Sequence, residues 1–223
     1  MNYEPIAINE IFYSIQGESS FAGLPCSFVR LAGCNHGCRF CDTGYANETS
    51  VLLDQQEIIA RATRYRTKLI EITGGEPLQQ PGVYDLMRQL CDGGFTVLLE
   101  TGGFMPVDHV DPRVHKIIDI KPPSSGVSDR NHLENLRVPH LVPDNNRHRF
   151  EFKFVIADRN DYLWSRALLE AYQLPESVTV LMGVIFNTLE PGKLAEWILE
   201  DQLPVRFQLQ LHKYLWHPER RGV

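Results

Sequence analysis

Cys34, Cys38 and Cys41 form a C-x3-C-x2-C cluster inside the run Gly33-Cys34-Asn35-His36-Gly37-Cys38-Arg39-Phe40-Cys41-Asp42-Thr43. Thiolates grouped in this way are iron-sulfur ligands, normally one per iron. Three cysteines on a four-iron cluster leave one iron open to an exogenous ligand, and an open iron is a reactive iron. A structural zinc needs a fourth protein ligand, and His36 lies between two of the cysteines instead of at finger or ribbon spacing. The cysteines can also be read as small buried apolar residues, although their neighbours are Gly, Asn, Arg and Asp. Metal binding is the expectation. Cys26 and Cys91 stand alone, and Cys91 falls on a predicted helix, where a buried structural thiol is expected.

A second constellation is Thr73-Gly74-Gly75-Glu76-Pro77. Two residues without side chains let backbone approach a ligand closely, and Glu76 beside them can accept from a cation such as an α-amino group. The alternative is an ordinary strand-to-helix turn that uses Gly-Gly for its backbone geometry. Glu151 and Lys153 alternate with Phe152 and Phe154, so both charges share one strand face, either as a structural ion pair or in the site. His132, His140 and His148 have no ligand spacing.

These residues need elements to hold them. Runs suited to strands lie at 27–31, 68–73, 95–100, 115–120, 150–156, 178–182 and 205–211. Helical patterns fall between several of them. One begins at Asp54, with Glu57 as capping-box partner and Ile58, Ile59 and Ala62 on its apolar face. Others cover about 83–92, ending at Gly93-Gly94, about 159–173, and the stretch after Pro191, with Leu194, Trp197 and Ile198 on one side. Segment 121–149 shows no clear helix. The alternation implies an α/β fold with a mostly parallel sheet, too short for a complete eight-unit barrel, and an open partial (βα) barrel fits it. The Cys loop, Thr73–Pro77, Glu100-Thr101-Gly102-Gly103 and Asp119-Ile120-Lys121-Pro122-Pro123 each follow a predicted strand, and active sites form at such carboxyl ends.

At 223 residues and 43% hydrophobic content the chain suits one domain, 1–223, with no linker. A net charge of −6 argues against direct nucleic-acid binding. Met1-Asn2-Tyr3-Glu4-Pro5 lacks the features of a secretory signal, and no stretch is long and apolar enough for a membrane span. A cytoplasmic protein without a membrane partner is expected, and the five mostly clustered cysteines do not make a disulfide framework.

The Cys loop and the Gly-Gly-Glu-Pro run together resemble the radical S-adenosylmethionine (radical SAM) superfamily, which implies a [4Fe-4S] cluster on Cys34, Cys38 and Cys41 with SAM chelating the open iron. Ile11-Phe12-Tyr13-Ser14-Ile15-Gln16-Gly17-Glu18-Ser19, Arg30 in Phe-Val-Arg-Leu, Cys41-Asp42-Thr43 and Gln210-Leu211-His212-Lys213-Tyr214 are similar to the 7-carboxy-7-deazaguanine synthase family. That resemblance implies a lyase of queuosine biosynthesis, a tRNA modification pathway, that acts on 6-carboxy-5,6,7,8-tetrahydropterin. It places Ile15, Gln16, Gly17, Glu18, Arg30, Thr73 and His212 around the pterin. Phe40, Cys41, Asp42, Gly74, Gly75, Glu76, Thr101, Asp119 and Lys121 would contact SAM, with Met182 and Gly183 as further contacts, and Thr43 would ligate Mg2+. It also implies a homodimer and an electron donor such as flavodoxin. Arg30 offers a planar fork matched to a carboxylate, and Gln16 and Glu18 offer complementary edges to a pterin. Two other readings are an activase that installs a glycyl radical on a protein, which shares the Cys spacing, and a non-enzymatic electron-transfer module.

Overall fold

Period-two alternation decides which way each strand faces. Along Phe150–Ile156 it sends Phe152, Phe154 and Ile156 into the main apolar core, while Glu151, Lys153 and Val155 point to the opposite face. The computed structural model describes residues 4–48 and 50–223. Among these, nine strands make one open sheet: β1 (Ile6–Ile15), β2 (Pro25–Leu31), β3 (Val51–Leu53), β4 (Leu69–Gly74), β5 (Thr96–Thr101), β6 (His115–Asp119), β7 (Phe150–Ile156), β8 (Thr179–Val184) and β9 (Arg206–Phe207). The order is β3-β1-β2-β4-β5-β6-β7-β8-β9. From β2 to β9 every neighbouring pair is parallel, and β1 lies antiparallel to both β2 and β3.

The helices are α1 (Gln55–Ala62), α2 (Gly82–Asp92), α3 (Val138–Leu141), α4 (Asp144–Arg147), α5 (Arg159–Tyr172), α6 (Pro191–Glu200) and α7 (His212–Leu215). The Asp54 side chain caps α1 by accepting from the Glu57 amide at 2.8 Å. Glu57 does not complete a capping box, because its carboxylate pairs with Arg61 one turn on. Leu194 and Ile198 of α6 are buried, Trp197 packs beside them, and Cys91 on α2 is half-buried against the core.

Three stretches differ from the sequence expectation. β1 is a long strand that the pattern hides: a register shift between Ile8 and Glu10 breaks the alternation, so Ile6 and Ile8 are buried, Asn9 to Phe12 are partly buried, Tyr13 is exposed and Ser14 is buried. The run at 205–211 gives only the two-residue β9. Beyond it the chain leaves the sheet to bond the segment after β1, with Gln208 and Ser19 exchanging two hydrogen bonds of 2.7 Å. Segment 121–149 is built from three 3-10 turns and the four-residue α3 and α4.

The main core thus lies between one sheet face and the helices. On the other face a smaller apolar group, Cys26, Phe28, Leu69, Leu98 and Ile117 with Phe12 and Phe21 against it, underlies a polar cavity. Phe152 is fully buried in the main core. Phe152→Ala is expected to cost about 3–5 kcal/mol, read as a lower urea midpoint with the slope unchanged. A loss below about 1 kcal/mol would mean that the core is not packed as described.

Candidate active site

The cluster loop follows β2 and is held from three sides. Asn47 accepts from the Cys34 amide at 2.8 Å, the Arg39 amide donates to the Ser125 carbonyl at 2.9 Å, and Arg130 donates to the carbonyls of Asn35 and His36. His36 stacks on Phe104 with ring centroids 3.7 Å apart and stands off the cavity wall, whereas all three cysteines line it. Burial pushes the Cys34 and Cys38 thiols up.

The glycine pair packs against this loop. The Gly75 amide donates to the Leu31 carbonyl at 3.0 Å and the Glu76 amide to the Gly33 carbonyl at 2.9 Å. A Cβ on Gly75 would sit 2.0 Å from the Gly33 carbonyl oxygen, and one on Gly74 2.2 Å from that of Leu31. Gly74 also has φ +135°, open to glycine. The missing side chains therefore admit the cluster loop's own backbone as well as a ligand. Glu76 likewise binds protein: it accepts from the Leu78 amide at 3.1 Å, the Thr101 hydroxyl at 2.7 Å and the Gly102 amide at 2.9 Å. Burial raises its carboxyl, and these donors oppose the shift. Glu76 and Thr101 thus tie the ends of β4 and β5 together at the cavity wall.

The inner sheet face is charged. Lys153 bonds Glu100 and Glu18, the latter at 2.8 Å, and lies 3.5 Å from Asp119. Burial alone would discharge Lys153, but the three carboxylates reverse the shift and hold its pKa well above the usual lysine value. Lys121 pairs with Asp119 at 2.7 Å. Glu151 is not paired with Lys153, although both share a strand face. It sits deeper, accepting from the Ser20 amide and hydroxyl and 2.8 Å from His115, and is not on the cavity wall.

Arg30 on β2 lies beside Thr73 of β4, and the register shift in β1 sets Glu10 directly opposite it, with the Arg30 Nε donating to Glu10 at 2.9 Å. The guanidinium also lies against the rings of Phe12 and Tyr45, at 5.6 and 5.7 Å. Arg30 therefore has an internal anionic partner that the apolar strand pattern did not reveal, and this bond uses one edge of the fork. Gln16 bonds Glu71 and accepts from the Glu18 amide at 3.0 Å. His212 packs against Gly17, where an added Cβ would lie 2.4 Å from its Nδ1. Lys213 and Gln210 hold Asp42 at 2.8 and 3.1 Å, and the Thr43 hydroxyl donates to Asp42 at 3.0 Å. Burial raises the Asp42 carboxyl, and the Lys213 ammonium beside it more than offsets this, leaving it well below the usual range.

One cavity of about 830 Å³ gathers Ile15, Gln16, Gly17, Glu18, Arg30, Thr73 and His212 with Cys34, Cys38, Phe40, Cys41, Asp42, Thr43, Gly74, Gly75, Glu76, Thr101, Asp119 and Lys121. Met182 is in the core and Gly183 packs on Gln208. Neither is on the wall, which Ile185 and Phe186 reach instead. Sequence reading passed over Glu71, Tyr45 and Phe104, which are on the wall with Glu100 of the third strand-end loop and residues 218–221. Glu71 carried a signal, since it is a charged residue on an otherwise apolar strand, as Glu151 and Lys153 are.

A family model described as the Radical SAM superfamily matches residues 29–123. The 7-carboxy-7-deazaguanine synthase of Chlorobaculum tepidum is 54% identical over 219 residues, covering 98% of both chains. This chain belongs to the 7-carboxy-7-deazaguanine synthase family. That of Koribacter versatilis is 40% identical and covers 97% of this chain and 99% of its own. The crystal structure of QueE from Escherichia coli shares the fold, with a TM-score of 0.70 at 22% identity, over 91% of this chain and 92% of its own.

Members of the 7-carboxy-7-deazaguanine synthase family are radical SAM enzymes, which implies a [4Fe-4S] cluster and SAM here. The residues fit both. Three free cysteines share one loop on the cavity wall, and beside them the buried Asp119 Oδ1 has no hydrogen-bond partner, an open acceptor for a bound ligand. Because Gly75 abuts Gly33, Gly75→Ala is expected to displace the cluster loop and cut reconstituted iron and sulfide content at least several-fold, while far-ultraviolet circular dichroism stays unchanged. Full cluster loading would show that the close approach is dispensable.

Proposed function

We propose that this chain converts 6-carboxy-5,6,7,8-tetrahydropterin to 7-carboxy-7-deazaguanine with loss of ammonia, on the route to queuosine. The observation that carries this reading is that a single cavity is lined both by the three thiols with the Gly74-Gly75 turn and by Gln16, Glu18 and Arg30. Its volume of about 830 Å³ is in the upper range of ligand sites, as two adjacent small molecules require. When bound, the reduced cluster and SAM supply a 5′-deoxyadenosyl radical that removes a hydrogen atom from the pterin.

The chain's own residues bind and orient. Cys34, Cys38 and Cys41 would hold the cluster, with the Gly74–Glu76 turn, Asp119 and Lys121 beside SAM. The free edge of the Arg30 guanidinium is matched to the pterin carboxylate, and Gln16 and Glu18 to the amide and amino edges of the ring. Thr43 would ligate Mg2+ through its hydroxyl next to Asp42. Among the described residues no three His, Cys, Asp or Glu side chains converge on one ion-sized point. A magnesium ion held by Thr43 would therefore need further oxygens from substrate and water, as Mg2+ does at many sites. Residues 218–221 lie over the Arg30 side of the cavity, where Arg221 bonds Glu48 at 3.1 Å and covers the Tyr45 ring. They would help to exclude water.

The same reading takes a small electron-transfer protein such as flavodoxin as the reductant and a homodimer as the working form. The edge strand β3 supports the homodimer, because it exposes Val51 and Leu52. No helix among the described residues is long and apolar enough to cross a membrane, consistent with a cytoplasmic location.

Anaerobically reconstituted protein given SAM, a reductant and the carboxypterin is expected to release a 7-deazapurine identified by mass. Release of 5′-deoxyadenosine alone would assign another substrate. Thr43→Val should lower turnover with cluster content and SAM affinity near wild type, and unchanged Mg2+ dependence would remove Thr43 from the site. Arg30→Lys should weaken pterin binding by about 1.5–3 kcal/mol and leave SAM affinity unaltered. An equal loss for both ligands in a calorimetric titration would instead mark Arg30 as a structural partner of Glu10.

A further inference from the structure

Glu71 lies on β4 between Phe28 of β2 and Leu98 of β5, on the cavity wall, and is 2% exposed. Among the described residues no Lys, Arg or His forms an ion pair with it. Its carboxyl accepts from the Gln16 amide, and the acid facing it is Glu100, two residues beyond its register partner Leu98 on the neighbouring strand and on the same cavity wall. Two carboxylates cannot share a hydrogen bond unless one of them carries the proton. Lys153, the central ammonium, is already engaged by Glu18, Glu100 and Asp119, and Arg30 by Glu10, so neither cation is spent on an ion pair with Glu71.

We propose that Glu71 carries a proton and donates it in a hydrogen bond to the Glu100 carboxylate. Glu71 thereby acts as a positioning residue, setting how Gln16 and Glu100 present their donors and acceptors to the substrate. Resting on the function proposed above only for the identity of that substrate, the inference follows from bonds already in place. Gln16 Nε2 donates to Glu71 while its Oε1 accepts from the Glu18 amide, so the orientation of the amide is fixed. Loss of that proton would set two buried negative charges against each other and part the pair, freeing Gln16 to turn. Burial first, then the charges of Glu100 and Glu18, push the Glu71 carboxyl well above the usual range, with Lys153 opposing. The other titratable groups that face it are Arg30 and Cys26 of β2.

The folded chain holds this proton more tightly than the unfolded chain. The pair's stabilising contribution is therefore complete below the ordinary carboxylate range and is lost as pH rises through the raised folded value. Glu71→Gln donates to Glu100 and accepts from Gln16 as protonated Glu71 does, with nothing to titrate. In anaerobic reconstituted protein, the unfolding midpoint of Glu71→Gln should rise relative to wild type as pH increases from about 5 to about 9. The pterin KM of the wild type should rise several-fold over that window, and that of Glu71→Gln should stay flat. Glu71→Ala should raise KM at least tenfold at every pH with SAM affinity unchanged. Parallel midpoint curves, or the same KM profile in wild type and Glu71→Gln, overturn the proposal. Should Glu71→Gln fail to fold, infrared difference spectra of the wild type against Glu71→Ala decide: a protonated carboxyl band at neutral pH that is lost in Glu71→Ala supports the proposal, and a band unchanged by the substitution, or no band, overturns it. The midpoint and infrared measurements contain no substrate, so failure of the wild type to turn over the carboxypterin would sink the assigned function and leave them standing.

Discussion

The structure depends on Lys153 being held at the centre of a charged sheet face. A cation so buried survives only with opposite charge around it, and here that charge comes from three other elements: Glu100 of β5, Asp119 of β6 and Glu18 after β1. One ammonium thus fixes the spacing of two parallel strands beside β7 and draws the loop of Gln16-Gly17-Glu18 inward across the open side of the sheet. The C-terminal segment follows that loop, because Gln208 binds Ser19 and Gln210 binds Glu18. An open partial barrel acquires a lid of polar residues in this way without closing its sheet.

The metal end of the cavity obeys a different constraint, backbone against backbone. Leu31 and Gly33 on one side and Gly74 and Gly75 on the other approach too closely for any side chain between them. The cluster loop is therefore registered to the end of β4, while Glu76 carries the register on to β5 through Thr101 and Gly102. Any ligand bound by the thiols lies against a wall whose position is set by hydrogen bonds rather than by flexible side chains.

Much of this was legible in the sequence, because parallel strands buried on one face and ending in polar loops leave a strong pattern. The six strands from Pro25 to Val184 in the parallel series, the helices between them, the Cys loop and Thr73–Pro77 could be placed from alternation and motif, and Gln16, Glu18 and Arg30 from the family resemblance. Features that depend on a change of register or on long-range pairing were not legible. The shift between Ile8 and Glu10 hid β1 and, with it, the partner of Arg30. Gln208 leaves the sheet at a point that composition does not mark. Glu151 and Lys153 share a face as their spacing required, but their depths differ, so one ties down Ser20 and the other faces the cavity. Residues 121–149 fold as short turns pinned by contacts such as Asn131 to Lys121, which no periodicity announces.

The central proposal is that one cavity would hold SAM beside its thiols and the carboxypterin against Arg30, close enough for a hydrogen atom to pass between them. The most direct measurement is the fate of that atom. Carboxypterin deuterated on the carbons of its reduced ring, incubated anaerobically with SAM, reductant and reconstituted protein, is predicted to give 5′-deoxyadenosine that carries the deuterium. Unlabelled 5′-deoxyadenosine, formed at the same rate with and without the pterin, would contradict the account.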